Sequence, residues 1–180
     1  MPKVESAADL AAARLLAGEM PLWAMIETPR AVLKLAEIAA GAQALVLGAN
    51  DLLKGMGGRH IAGRANLHYA MAALVTAARA HGALALDAVH NDIADTAGFA
   101  DACAMARDFG FDGKCLIHPS QIEPARAAFA PSASEIADAK ALLAEFAKPE
   151  NRDKGVIVVS GRMVERLHED MARRLLDSGT

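Results

Sequence analysis

Aromatic residues make up only 4% of this 180-residue chain, with one tryptophan and one tyrosine. So few rings exclude an extended stacking platform for bases. Cysteine is as scarce. Cys103 and Cys115 are the only two, too few for a disulfide framework and not in the Cys-x-x-Cys spacing of a thiolate zinc site. Neither sign of charge dominates: 19 Lys and Arg oppose 22 Asp and Glu, for a net charge of −3. That leaves no basic footprint for nucleic acid. Hydrophobic content reaches 53%, yet no apolar run approaches a membrane span. The first residues show neither the charged nor the apolar region of a secretory signal. A reduced, cytoplasmic protein without nucleic-acid or membrane partners is the expectation. Nucleotide fingerprints are missing too. Gly55-Met-Gly-Gly58 is not a GxGxxG, and Lys54 precedes its glycines, whereas a P-loop lysine follows them.

What is present is a repeat of short apolar runs and longer amphipathic stretches. Lys3-Val4-Glu5 reads as the end of a strand, and Ser6 to Asp9 as a capping box opening a helix that stops at Gly18. Apolar runs at 22–26, 44–48, 83–88 and 114–117 read as buried strands. Helices follow from Pro29 to Ala40, from about Arg64 to His81, from about Asp95 to Phe109 and from about Pro119 to Phe129. Gly55–Gly63 reads as a glycine-rich loop. Ser132 to Glu135 opens a further helix ending near Lys148. A polar linker, Pro149–Lys154, sets the expected boundary between residues 1–148 and 149–180. Beyond it, 155–159 reads as a strand and 163–176 as a terminal amphipathic helix. Continuous rather than alternating apolar strands, spaced by helices, point to parallel βα units. A doubly wound sheet and a (β/α)8 barrel both fit this α/β pattern. The barrel spreads its reactive groups over the ends of several strands, as this sequence does, but usually takes about 250 residues.

The chemistry-bearing residues cluster at those strand ends. Glu27 and Asp51 each follow an apolar run in successive units. Two carboxylates brought that close repel unless a cation lies between them, and a hard divalent ion such as Mg²⁺ suits such oxygens. The alternative is that each caps its following helix. His118-Pro-Ser120 begins a helix where free backbone amides favour an anionic group, or it is an ordinary polar cap. Asp92, in His90-Asn-Asp92, caps or braces its loop. Arg59 and Arg64 either meet an anion or are solvated loop residues. His60, His68 and His81 have no ligand spacing, and both cysteines read as packing residues.

Pro2-Lys-Val-Glu-Ser6, Ile26-Glu-Thr-Pro29, Leu47-Gly-Ala-Asn-Asp-Leu52, Asp87-Ala-Val-His-Asn-Asp92, Gly110-Phe-Asp-Gly-Lys114, Ile117-His-Pro-Ser-Gln-Ile122 and Gly161-Arg-Met-Val-Glu165 occur in order along the chain. Together they resemble the HpcH/HpaI aldolase and citrate lyase beta-subunit family, and within it the malyl-CoA and citramalyl-CoA lyase branch. The resemblance implies a (β/α)8 TIM barrel, of which this chain would supply roughly strands 4 to 8 plus a C-terminal helical extension packing on a neighbouring subunit. It implies Mg²⁺ held by Glu27 and Asp51, substrate contacts from Asn50, His118 and Ser120, and an acid/base role for Glu165. Branch members often carry Asp at that last position.

The implied reaction is a retro-Claisen cleavage of a 3-hydroxyacyl-CoA into an acyl-CoA and a 2-oxo acid, in a trimer or hexamer. The family's substrate-gripping arginine lies in strands ahead of those matched here, so impaired activity is expected of this chain alone. A metal-dependent aldolase acting on free hydroxy-oxo acids, and a non-catalytic half-barrel needing a partner chain, are the alternatives.

Overall fold

A computed structural model describes residues 1–159 and 161–178. The chain divides into two compact units, Met1–Phe129 and Ala130–Thr180. The division falls ahead of the helix that begins at Ala133, so the polar stretch Pro149–Lys154 lies inside the second unit.

The first unit alternates helices and strands: α1 (Ala7–Ala17), β1 (Trp23–Ile26), α2 (Pro29–Leu33), α3 (Leu35–Ala39), β2 (Ala44–Leu47), α4 (Ala49–Met56), α5 (His68–His81), β3 (Leu84–Asp87), α6 (Thr96–Phe109), β4 (Gly113–Lys114) and α7 (Ile122–Phe129). All pairings in its sheet are parallel and run in chain order, β1-β2-β3-β4. β2 is buried at all four residues. On β1 and β3 only alternate residues are buried. Ala24, Ile26, Ala85 and Asp87 are covered, while Trp23 and Leu84 are each 48% exposed. One continuous apolar core joins the strands to α1, α3, α4 and α5 through Ile26, Ile38, Leu47, Leu52, Met71 and Leu74. Fully burying side chains of this size contributes about 1.5–3 kcal/mol each. Small residues such as Ala24, Ala31, Ala39, Ala78 and Ala85 let helix and sheet backbones approach closely.

Local chemistry sets the helix starts. Ser6, Thr28 and Asp95 each accept a bond from the backbone N–H three residues on, satisfying one of the donors a helix leaves free. Pro29 occupies the first turn of α2, where its missing N–H costs nothing.

Several expectations are corrected. Lys3–Glu5 is not a strand. Only Met1 bonds in register with β1, donating to Trp23 and accepting from Met25. Pro2 has no N–H to give, Lys3 turns into the left-handed region (φ 52°), and its N–H goes to a side chain. The helix expected from Pro29 to Ala40 breaks at Lys34 into α2 and α3. The loop expected from Gly55 begins later, because α4 runs to Met56 and ends on Gly57 at φ 68°. The strand expected at 114–117 is only Gly113–Lys114.

Arg64 is not a solvated loop residue. Its guanidinium meets both oxygens of the fully buried Asp87 at 2.8 and 3.0 Å. Lys114 reaches the same carboxylate at 2.6 Å with its side chain 1% exposed, and also donates to the Ala88 carbonyl. Arg64 donates to the Ala102 carbonyl of α6 as well. The triad therefore ties the end of β3, β4, α6 and the 3-10 segment Ala62–Leu67 together.

The second unit comprises α8 (Ala133–Ala147), β5 (Val156–Val159), β6 (Arg162–Glu165) and α9 (Arg166–Ser178). Ser132 and Glu135 form a complete capping box at α8. β5 and β6 pair as an antiparallel hairpin, with Gly161 at φ 77° in its turn. Residues 163–165, expected to begin the terminal helix, thus belong to a strand, and the helix starts at Arg166. Phe146, Ile157 and Val164 form this unit's core. The Arg166 guanidinium lies 4.8 Å over the Phe146 ring. It also donates to the backbone carbonyls of Asn151, Arg152 and Lys154. Among the described residues, no helix is long and apolar enough to cross a membrane.

Removing the shared carboxylate of the buried triad leaves two cations facing each other in the interior. Asp87→Asn is expected to cost about 3–5 kcal/mol in urea denaturation. A loss below about 1 kcal/mol would show that the triad does not hold this region together.

Candidate active site

Parallel pairing of β1 with β2 creates the site. The register sets Ile26 opposite Leu47, and the Gly48 N–H donates to the Ile26 carbonyl at 2.9 Å. The next residues, Glu27 and Gly48, are thereby pressed together. A methyl group added at Gly48 would lie 2.4 Å from the Glu27 Cβ and 3.3 Å from its Cα. Glycine is required here for close approach rather than for its backbone angle, since φ is −100°. Glu27 is 5% exposed. Asp51 comes from the first turn of α4, three residues past Gly48, and is half exposed.

The capping alternative does not hold for either residue. Thr28, not Glu27, caps α2, and α4 follows Gly48 with no side-chain cap. Both carboxyls instead line one cavity and meet the same ammonium, that of Lys3.

A cation stands with them. Lys3 Nζ is 2.9 Å from Asp51 Oδ2 and 3.9 Å from Glu27 Oε1. The Lys3 backbone N–H donates to Glu27 Oε1 at 2.6 Å. The ammonium bond holds the Asp51 carboxyl below the usual aspartate range, and the same bond raises Lys3. Both groups are charged at neutral pH.

Donor chemistry at this spot suits a hard divalent cation. Glu27 and Asp51 offer oxygen only and converge on the Lys3 ammonium. Among the described residues no cluster of three or more His, Cys, Asp or Glu is placed to hold a metal. Two carboxylates with the remaining positions left to water or substrate oxygens is the usual arrangement for Mg²⁺.

Two cavities open beside the pair. The smaller, about 180 Å³, is lined by Glu27, Gly48, Asn50 and Asp51 together with Met25 and Cys115. The larger, about 690 Å³, shares Ala49 and Val89 with it and reaches His60, Arg64, His90, Asp92 and Lys114.

Asn50 and Asn91 exchange side-chain amide bonds at 3.1 and 2.8 Å, and His60 Nε2 meets Asn50 Oδ1 at 2.9 Å. This clamp joins the segments after β2, α4 and β3. Sequence spacing gave no role to His60, because its partner lies ten residues away across a loop. Asp92 accepts from the Ala94 and Asp95 N–H groups and so braces its own loop.

His118 and Ser120 are placed elsewhere in the first unit. His118 Nδ1 accepts from the Ser120 N–H and lies 2.8 Å from its hydroxyl, capping the short helix Pro119–Gln121. Neither borders the two cavities. Glu165 belongs to the second unit, at the end of β6. It is half-buried, and its N–H donates to His168 Nδ1 at 3.0 Å.

Gly48→Ala is expected to lower stability by about 1–3 kcal/mol, the range for overpacking a tight contact, in urea denaturation. An unchanged midpoint would contradict the close approach of Glu27.

Comparison with known proteins gives this geometry its relatives. The sequence profile of the HpcH/HpaI aldolase/citrate lyase family matches residues 1–119. The chain is 44% identical over 178 residues to a (3S)-malyl-CoA thioesterase of Cereibacter sphaeroides, spanning 98% of this chain and 62% of that protein. It is 30% identical to the citrate lyase beta subunit of Haemophilus influenzae, across 98% of this chain and 66% of the relative. Among solved structures it resembles CitE from Mycobacterium tuberculosis in complex with magnesium, acetoacetate and coenzyme A. The TM-score there is 0.82 at 33% identity, covering 99% of this chain and 67% of the other. The chain thus spans about three-fifths of the length of the thioesterase it matches.

Proposed function

The chain belongs to the HpcH/HpaI aldolase/citrate lyase family, and from that premise we propose that it carries the metal-binding part of a Mg²⁺-dependent lyase acting on a 3-hydroxyacyl-CoA. One observation carries the proposal: the convergence of Glu27 and Asp51, cation-paired, at the ends of neighbouring parallel strands. The CitE structure in complex with magnesium, acetoacetate and coenzyme A supports the same reading. The barrel architecture is part of this proposal. Its support is the sequential, all-parallel order of the strands, without the reversal at which a doubly wound sheet binds its ligand, and the likeness to CitE.

In this reading Glu27 and Asp51 hold the ion. When bound, the ion supplies Lewis-acid polarisation of the α-oxygen of a 2-oxo acid or of its 2-hydroxy precursor. Gly48 and the β1–β2 register fix Glu27, while the Asn50–Asn91–His60 clamp fixes the backbone beside Asp51. In the cleavage direction the hydroxyl gives its proton to a water molecule as the adjacent C–C bond breaks. Its electron pair passes into the thioester enolate, whose carbon takes a proton. Glu165, brought by the C-terminal segment 149–180 from a neighbouring subunit of a trimer or hexamer, is proposed to deliver that proton. Asn50, His118 and Ser120 are proposed to contact the substrate, the last two on leaving their local cap. The larger cavity offers room for the acyl part of a CoA ester.

A second reading has a specific observation behind it. The relative at 44% identity is a malyl-CoA thioesterase, so hydrolysis of the thioester is the competing chemistry. Products separate the two. With malyl-CoA and Mg²⁺, a lyase releases glyoxylate and acetyl-CoA, whereas a thioesterase releases malate and a free thiol. Glyoxylate formation lost by at least about 10²-fold in Asp51→Ala is the expected result. Thiol release without glyoxylate would overturn the lyase reading in favour of hydrolysis, and cleavage confined to free hydroxy-oxo acids would overturn the CoA-ester assignment.

A further inference from the structure

We infer that Lys3 is a built-in counter-ion, holding the cation position between Glu27 and Asp51 and leaving it when a divalent ion binds. The inference rests on the metal reading above but concerns a residue to which that reading gives no part.

Lys3 engages both carboxylates at once. Its ammonium takes Asp51 Oδ2 at 2.9 Å and lies 3.9 Å from Glu27 Oε1, while its own backbone N–H takes that same Glu27 oxygen at 2.6 Å. The backbone is shaped for this double contact. Lys3 is one of two non-glycine residues with positive φ among those described, a conformation that persists only where its surroundings enforce it. The enforcement is visible on both sides. Met1 is bonded to Trp23 and Met25 on β1, and Val4, 1% exposed, is sunk in the core. The main chain at Lys3 is therefore fixed, and its side chain is the movable part.

That side chain is 64% exposed and ends a flexible stem, so it can swing into water without disturbing the core. Magnesium oxygens bind at about 2.0–2.1 Å. An ion that close to Asp51 Oδ2 and Glu27 Oε1 would face the ammonium across a distance of a few ångströms, with like charges and shared acceptors. Keeping both cations against the same oxygens would add like-charge repulsion to that conflict. Lys3 thus keeps the carboxylates together without metal, and its occupancy lowers the apparent affinity for metal by the fraction of time the position is taken.

Calorimetric titration of MgCl2 into the full chain tests this, with Lys3→Met, Lys3→Gln and Lys3→Arg beside wild type. Both neutral variants should bind Mg²⁺ about fivefold more tightly, the scale of a water-screened ion pair made by a largely exposed side chain, while Lys3→Arg should stay close to wild type. Equal or weaker binding by the folded neutral variants would overturn the inference and leave the metal reading standing. No binding by any of the four proteins would remove the metal reading and the inference with it. Should the neutral variants fold poorly, the side-chain ammonium resonance of Lys3 in ¹⁵N-labelled wild type decides. A shift that saturates along the binding curve supports displacement, and a resonance unmoved at saturating MgCl2 contradicts it.

Discussion

Two carboxylates that would repel each other are forced together, and the rest of the site depends on that constraint. Glu27 is held by the β1–β2 register and by the missing side chain at Gly48. Asp51 is held by the first turn of α4, which starts directly after β2. Neither placement involves helix capping, the cheap use of an acidic residue at such a position. A fold that buries Glu27 among apolar strands and aims Asp51 at it needs a cation in return. The cation already there, Lys3, comes from a short segment whose only backbone pairing with β1 is through Met1.

The buried triad of Arg64, Asp87 and Lys114 serves a different end. Its members lie at the end of β3, in β4 and in the segment before α5, and they tie that segment to α6. Ion pairs out of water offset a large desolvation cost only when each partner is present and hydrogen-bonded. The triad therefore defines one arrangement of the wall around the larger cavity more than it adds stability. Together with the Asn50–Asn91–His60 clamp, it leaves the carboxylate pair flanked by polar contacts that fix loops rather than react.

Local signals in the sequence were legible wherever a single residue and its near neighbours decide the outcome. Ser6 and Ser132 cap the helices expected of them, Gly18, Gly82 and Gly110 end α1, α5 and α6, and the apolar runs at 22–26, 44–48 and 83–88 contain strands. Contacts across the chain were not legible. Arg64 reads as a loop arginine because its partner is 23 residues away on a strand end. Residues 162–165 continue into an amphipathic pattern, yet they pair with β5 across a turn containing Gly161 at positive φ. Lys3 looks like the end of a strand, but Pro2 beside it cannot donate to a ladder and Glu27 captures its N–H. In the site itself, the residue types at the strand ends pointed to metal chemistry, while removing the capping alternative needed the observed helix starts, with Thr28 capping α2 and no side chain capping α4.

The central claim is that Glu27 and Asp51 form one cation site that a divalent metal takes over from Lys3. Its most direct test is a crystal of this chain grown with MnCl2, with data collected at the manganese edge. The account predicts an anomalous peak bridging the Glu27 and Asp51 carboxylates, with the Lys3 side chain turned away from Asp51. A peak elsewhere, or none between these carboxylates while Lys3 keeps its place, would contradict it.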